Sequence, residues 1–391
     1  VFAGELLGAV LWGPAADHWG RRSSFIASCL VITVFGFLTT LAMNVWWLLA
    51  LRAFVGFGVG GLFVPYDLLA EFIRSERRGR VLIYIQYAWT VGSVFVVVMA
   101  WALLGPTGWR GLAAVCTLPV LASLAAAPLI PESPRWLLSK GRVEEAMDVL
   151  RMAAKVNGNS LPTGVVLKQD DHGVYDEGLG NIRELFLPGL RKITVPVWTV
   201  WFGFGLTYYG VVLLNARLFG GDDPDKEALP ATCSFDYPPM IMVASAEVAG
   251  TALAAAIIDP VGRSRSQGLT YLVSALTVLA AALAPAEGLM TGLSFLARSF
   301  IMAASSISWV QAPELYPSEV RASGHGWANA MSRLGGFVSP YWVDSKSLSL
   351  LTVSVGLAVV MIISGAAAMV LPETAGRDLD TGTGEDEPTA G

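Results

Sequence analysis

Gly13-Pro14-Ala15-Ala16-Asp17-His18-Trp19-Gly20-Arg21-Arg22 is a short polar hinge wedged between two apolar segments. As a pattern it reads G-x-x-x-D-x-x-G-R-R. A partial second copy, Asp259-Pro260-Val261-Gly262-Arg263 with Arg265 close behind, lies 259 − 17 = 242 residues further on. A tight charged turn between two long apolar helices, given twice, predicts a membrane protein built from two related halves.

Composition agrees. Of 391 residues 54% are hydrophobic and only 15% charged, with a mean hydropathy of +0.57, whereas a soluble globular domain carries about 25% charged residues. The apolar residues come in blocks of the length that a hydrocarbon core of about 30 Å requires of a helix. The fold class is therefore all-α and membrane-spanning. Helices are predicted at 1–16, 24–43, 46–69, 81–104, 109–130, 192–214, 237–258, 266–285, 288–311, 323–345 and 348–371, eleven in all. Residues 131–191 form a polar insert with one amphipathic helix near 143–155, and the acidic, Gly/Thr-rich stretch 372–391 is expected to be disordered. Cys29 and Cys116 lie in apolar blocks and Cys233 in a polar loop, as small core residues and a loop thiol rather than a disulfide framework.

Arg21, Arg22, Arg74, Arg77, Arg78, Arg80, Arg263, Arg265 and Arg321 fall in short loops on one face. Only Arg110, Arg217, Lys226 and Lys346 fall on the other. The positive-inside rule makes the first face cytoplasmic, with the 131–191 insert and the C-terminal tail. Val1 is then outside, and one further helix upstream would restore a cytoplasmic N-terminus.

The halves repeat beyond the hinge. Glu71 with Arg78 recurs as Glu314 with Arg321, Pro131-Glu132-Ser133 recurs as Pro372-Glu373-Thr374, and Glu5, Gly8, Leu11 and Asp17 recur as Glu247, Gly250, Leu253 and Asp259. Parallel repeats about an axis along the membrane normal are one build of secondary transporters.

These motifs resemble the major facilitator superfamily, whose twelve helices form two six-helix bundles. The hinge matches that family's loop between helices two and three, and Arg52-x-x-x-Gly56-x-Gly58-x-Gly60-Gly61 its fourth helix. Pro131-Glu132-Ser133-Pro134-Arg135 and Pro372-Glu373-Thr374-x-Gly376-Arg377 are similar to the ends of helices six and twelve in sugar porters and organic ion transporters. Val55–Gly61, Tyr208–Leu214 and Pro313–Arg321 are similar to the synaptic-vesicle-glycoprotein-2-related branch. The resemblance implies an N-terminal bundle over 1–130 (helices two to six), a cytoplasmic loop over 131–191, a C-terminal bundle over 192–371 and a tail over 372–391. Helix one is the element not seen.

Asp17, Arg21, Arg22, Glu71 and Arg78, with Asp259, Arg263, Glu314 and Arg321, are expected to form ionic latches at the cytoplasmic face, holding the bundles in one conformation and breaking in the other. The alternative is that Asp17 is only a topology marker at a helix end. The glycine run Gly56–Gly61 imitates a dinucleotide fingerprint, but inside an apolar block it reads as close helix packing.

Charges inside the membrane point to function, because burying them in hydrocarbon is expensive. Glu5, Arg52, Glu247, Arg298 and Arg333 are five such charges. Glu247 lies twelve residues before Asp259 and Arg333 twelve beyond Arg321, so both sit about 18 Å from the same face and can pair there. Arg333 would bind an anionic group of a solute through two parallel hydrogen bonds, and Glu247 or its repeat image Glu5 would exchange a proton. A permanent structural ion pair is the competing reading. Trp89, Tyr208, Tyr209 and Trp309 are expected to line the cavity, with Asn329 among few polar amides at that depth.

Together these residues predict a facilitative, symporting or antiporting transporter of a small organic ion, with an anion favoured, a sugar as the alternative and proton coupling through Glu5 or Glu247. A non-transporting receptor or vesicle scaffold of the same fold is the rival. No cofactor, metal, nucleic acid or enzymatic activity is expected. The chain is expected to be monomeric, in the plasma membrane or an intracellular vesicle membrane.

Overall fold

Long apolar runs form the long helices, several of which carry a proline within them, and single glycines or polar turns separate them. The computed structural model describes residues 1–73, 75–161, 167, 182–219, 237–316, 320–345 and 347–375. Its helices are α1 (Phe2–Trp19), α2 (Arg21–Thr39), α3 (Val45–Val59), α4 (Phe63–Phe72), α5 (Ser75–Leu103), α6 (Gly108–Ala126), α7 (Pro134–Ser139), α8 (Val143–Val156), α9 (Arg191–Phe219), α10 (Tyr237–Val261), α11 (Arg263–Ala282), α12 (Glu287–Leu315), α13 (Arg321–Val343) and α14 (Leu350–Val370).

Taking α3 and α4 as one interrupted crossing, the described residues hold eleven membrane-length units where eleven were expected. The expected single helix over 46–69 is broken at Gly60-Gly61-Leu62. Eight of the units are long and apolar enough to cross a membrane on their own sequence. The other three, α1, α11 and α13, carry polar groups that the fold turns inward: Glu5 on α1, Gln267 on α11, and His325, Asn329 and Arg333 on α13 are all buried.

Two groups of helices result. Helices α1 to α6 pack on one another, as do α9 to α14, and the groups meet along two seams, α1 against α13 and α5 against α10. The outward surface is apolar, with Leu7, Leu30, Trp46, Leu276 and Ile363 exposed. Lipid supplies no hydrophobic drive between helices, so close contact rests on small residues and buried hydrogen bonds. The glycine run does this work: a Cβ on Gly56 would strike the Val1 backbone and one on Gly58 the Ile32 side chain. Cys29 is buried and Cys116 half-buried, both as free thiols.

Candidate functional site

The hinge builds the first layer. Gly20 links α1 to α2 at φ +101° and Gly262 links α10 to α11 at φ +93°, a region that side chains avoid. A Cβ at either would also collide with a carboxylate, Glu132 for Gly20 and Glu373 for Gly262. In the first half Arg21 Nη1 donates to Asp17 Oδ1 at 2.5 Å and to the Ala16 carbonyl at 2.9 Å. Its Nε lies 3.7 Å from Glu71 Oε1. The backbone N–H groups of Arg21 and Arg22 donate to Glu132 Oε1 at 2.9 and 3.2 Å, satisfying orphan donors of the first turn of α2. The Ser133 hydroxyl donates to Glu71.

The second half repeats this atom for atom. Arg263 Nη1 donates to Asp259 Oδ1 at 3.2 Å, and its Nε to Glu314 Oε2 at 3.1 Å. The Arg263 and Ser264 N–H groups donate to the Glu373 carboxylate at 2.7 and 3.2 Å. Thr374 Oγ1 donates to Glu314 Oε2 at 2.7 Å.

Most of these hinge ion pairs lie within one half rather than between the two. Asp17, Arg21 and Glu71 close within the first half, and Asp259, Arg263 and Glu314 within the second. The physical reason is that Glu132 and Glu373 lie just beyond the last membrane helix of the same group and complete each ring locally. What crosses the seam here is Arg80, whose Nε lies 3.6 Å from Asp259 Oδ2. Arg22 Nη2 donates to the Pro128 carbonyl at 3.0 Å, again in its own half. Arg321 Nε donates to the Pro313 carbonyl at 2.9 Å, and its charge also acts on Glu71 of the other half. The Arg78 side chain lies outside the described residues.

The second layer lies at mid-depth and corrects an expectation. Glu247 does not pair with Arg333. It pairs with Arg298 on α12, receives the Tyr208 hydroxyl at 2.6 Å, and stays within its own half. Tyr208 in turn accepts from Trp89 Nε1 at 2.9 Å, across the seam from α5. The Arg298 guanidinium packs 3.9 Å from the Tyr208 ring centroid. Arg333 instead faces Glu5 of the other half, Nη1 to Oε2 at 2.9 Å, with both side chains only 7% exposed. The reason is the seam itself: α13 lies along α1, while α10 and α12 pack together inside the second half.

Tyr209 Oη, which accepts from Arg333 Nη1 at 3.4 Å, stands beside Tyr208 with ring centroids 5.2 Å apart. Glu5–Arg333 and Glu247–Arg298 therefore flank one tyrosine pair. Asn329 donates to the Gly60 carbonyl at 3.4 Å, at the break between α3 and α4. Trp309 is not part of this belt. It packs nearer the hinge against Tyr66, Trp201 and His325.

Asp67 and His325 were not singled out in the sequence. They meet across the same seam, Oδ1 to Nδ1 at 2.8 Å, both buried. The signal that marks His325 is a four-residue spacing on α13, Arg321, His325, Asn329 and Arg333, which lines one helix face with polar groups.

Two repeat-related helical groups that meet along seams carrying buried charge define a multi-pass membrane transporter of the major facilitator superfamily. Residues 1–383 match the family described as "Sugar (and other) transporter", and the chain belongs to it. It is 32% identical over 396 residues to the synaptic vesicle 2-related protein of Bos taurus, covering 97% of this chain and 71% of that protein. It is also 32% identical over 428 residues to organic cation/carnitine transporter 7 of Arabidopsis thaliana, covering 97% and 83%. Among solved structures, the proton:xylose symporter XylE bound to 6-bromo-6-deoxy-D-glucose shares the fold, with a TM-score of 0.71 and 22% identity over 97% of this chain and 86% of that one.

Proposed function

We propose that the chain moves a small organic ion bearing a carboxylate across the membrane by rocking of its two halves, with the hinge face cytoplasmic. The observation that carries this reading is the Glu5–Arg333 pair. It is the mid-depth ion pair whose two members belong to different halves, so parting the halves at that level must separate them. Arg333 Nε has no hydrogen-bond partner among the described residues. A guanidinium so placed has donors in reserve for a planar carboxylate. Phe2 and Tyr209, with ring centroids 4.9 Å apart, offer apolar walls beside it. A solute that also bears a positive group would meet Glu5, in keeping with the name of the Arabidopsis relative.

Glu5 is also the better candidate for exchanging a coupled proton. Glu247 is held in both strokes by Arg298 and Tyr208 of its own half, whereas Glu5 loses its counter-ion when the solute takes Arg333. Uptake by proteoliposomes of a panel of labelled carboxylates, amines and sugars tests the reading. Flux of carboxylate-bearing solutes that falls at least tenfold in Arg333→Lys is expected. Flux of sugars or simple amines alone, unchanged in that variant, would refute it.

A further inference from the structure

One buried titratable pair is left unused by that reading. His325 on α13 sits in a box of four aromatic rings, Phe63, Trp201 and Trp309 with centroids at 5.4 Å and Tyr66 at 6.3 Å. Two of these rings come from α4 in the first half, and two from α9 and α12 in the second. Asp67 closes the box from α4 at Nδ1. Neither His325 Nε2 nor Asp67 Oδ2 has a hydrogen-bond partner among the described residues.

The box discriminates between the two charge states of the ring. A neutral imidazole that donates from Nδ1 to Asp67 leaves a bare Nε2 lone pair against electron-rich ring faces. An imidazolium carries hydrogens on both nitrogens. One meets the carboxylate, and the ring charge lies about 6 Å or less from the centroids of the aromatic walls, which attract cations at that range. Charged neighbours face this end from the surrounding elements: Asp17 on α1, Arg21 on α2, Glu71 on α4, Glu314 on α12 and Arg321 on α13, together with the Tyr66 phenol. From α9 the box receives the uncharged Trp201. Arg21, paired with Asp17 and Glu71 of its own half, also acts on Asp67, while His325 contacts Asp67 directly from the other half.

We infer that Asp67 and His325 form a proton-binding site at the hinge end of the seam, which takes up a proton as the halves close there and releases it as they part. The two residues separate with their halves, Asp67 leaving with Phe63 and Tyr66. The ring left behind loses its carboxylate and half of its aromatic walls, the two contacts that favour its charged form. Reciprocity then requires that lower pH favour the closed seam. The inference rests on the proposal that the halves part, and it places pH sensing at a site separate from Glu5 and Arg333.

The test uses the full chain in lipid nanodiscs. The three histidines are labelled with 15N, and His325→Gln assigns the His325 signal. A doubly protonated ring at pH 6 is expected for His325, and a neutral ring from pH 5 upward would overturn the site. Separately, fluorophores at Trp19 and Val261, equivalent positions of the two hinges, report closure by single-molecule energy transfer. The closed-to-open ratio is expected to rise about fivefold or more from pH 8 to pH 5. His325→Gln and Asp67→Asn should each flatten that rise below about twofold. A wild-type rise in both variants, or open and closed states without pH dependence in the wild type, would overturn the coupling. A single distance at every pH would instead refute the rocking of the halves, while the nitrogen signal still decides the proton site.

Discussion

The two halves carry the same hinge and different centres. At the hinge the match is nearly atomic: Asp17, Arg21, Glu71, Glu132 and Ser133 in one half, and Asp259, Arg263, Glu314, Glu373 and Thr374 in the other, each ring held by hydrogen bonds within its own half. At mid-depth the matching glutamates diverge. Glu247 binds an arginine of its own half, while Glu5 binds one from the opposite half. Duplication therefore preserved the parts that keep each half rigid. It let go of symmetry where the halves touch, the place where a rocking transporter must make and break contacts.

The largest break in this comparison comes from Arg298→Leu. Removing one member of a buried pair leaves Glu247 uncompensated, at a cost of about 3–5 kcal/mol. Thermal unfolding in detergent should show that loss, and Arg298→Leu with Glu247→Leu should recover most of it. Next come the hinge glycines. Gly20→Ala and Gly262→Ala each force a side chain into a strained conformation, costing about 1–3 kcal/mol. The two losses should agree, and a marked inequality between them would break the equivalence of the hinges.

Comparable in size are the hydroxyl donors. Ser133→Ala and Thr374→Ala each remove a hydrogen bond to a carboxylate, worth about 1.5–3 kcal/mol at most, and again the two should match. The smallest effect is expected at Arg80→Gln. Its pair with Asp259 crosses the seam but is half exposed. Such pairs contribute about 0–1 kcal/mol, so stability should hold while the hinge face opens more often, read as faster cysteine labelling at Ala70.

Much of this was legible in the chain. Asp17 and Asp259 fixed the repeat, and Glu132-Ser133 with Glu373-Thr374 came out at the same offset. The choice of partners was not legible. Arg298 stands three residues off the repeat from Arg52, so symmetry discounted the residue that holds Glu247. Equal depth suggested Glu247 for Arg333, but depth carries no information about azimuth, and α13 turns Arg333 toward α1 instead. Nothing near His325 in the chain points to Asp67, which lies 258 residues away, and neither has a repeat image. Contacts across a seam depend on how the two groups dock, which no local spacing encodes.

The account depends most on Glu5–Arg333 being a contact that opens when the halves part. Energy transfer between Trp19 and Val261 labels, compared in the wild type and in Glu5→Gln, reads this most directly. The expected result is a second, longer distance that becomes prominent in Glu5→Gln, while label pairs placed within either half keep one distance. An unchanged distance across the seam, or movement within a half, would contradict it.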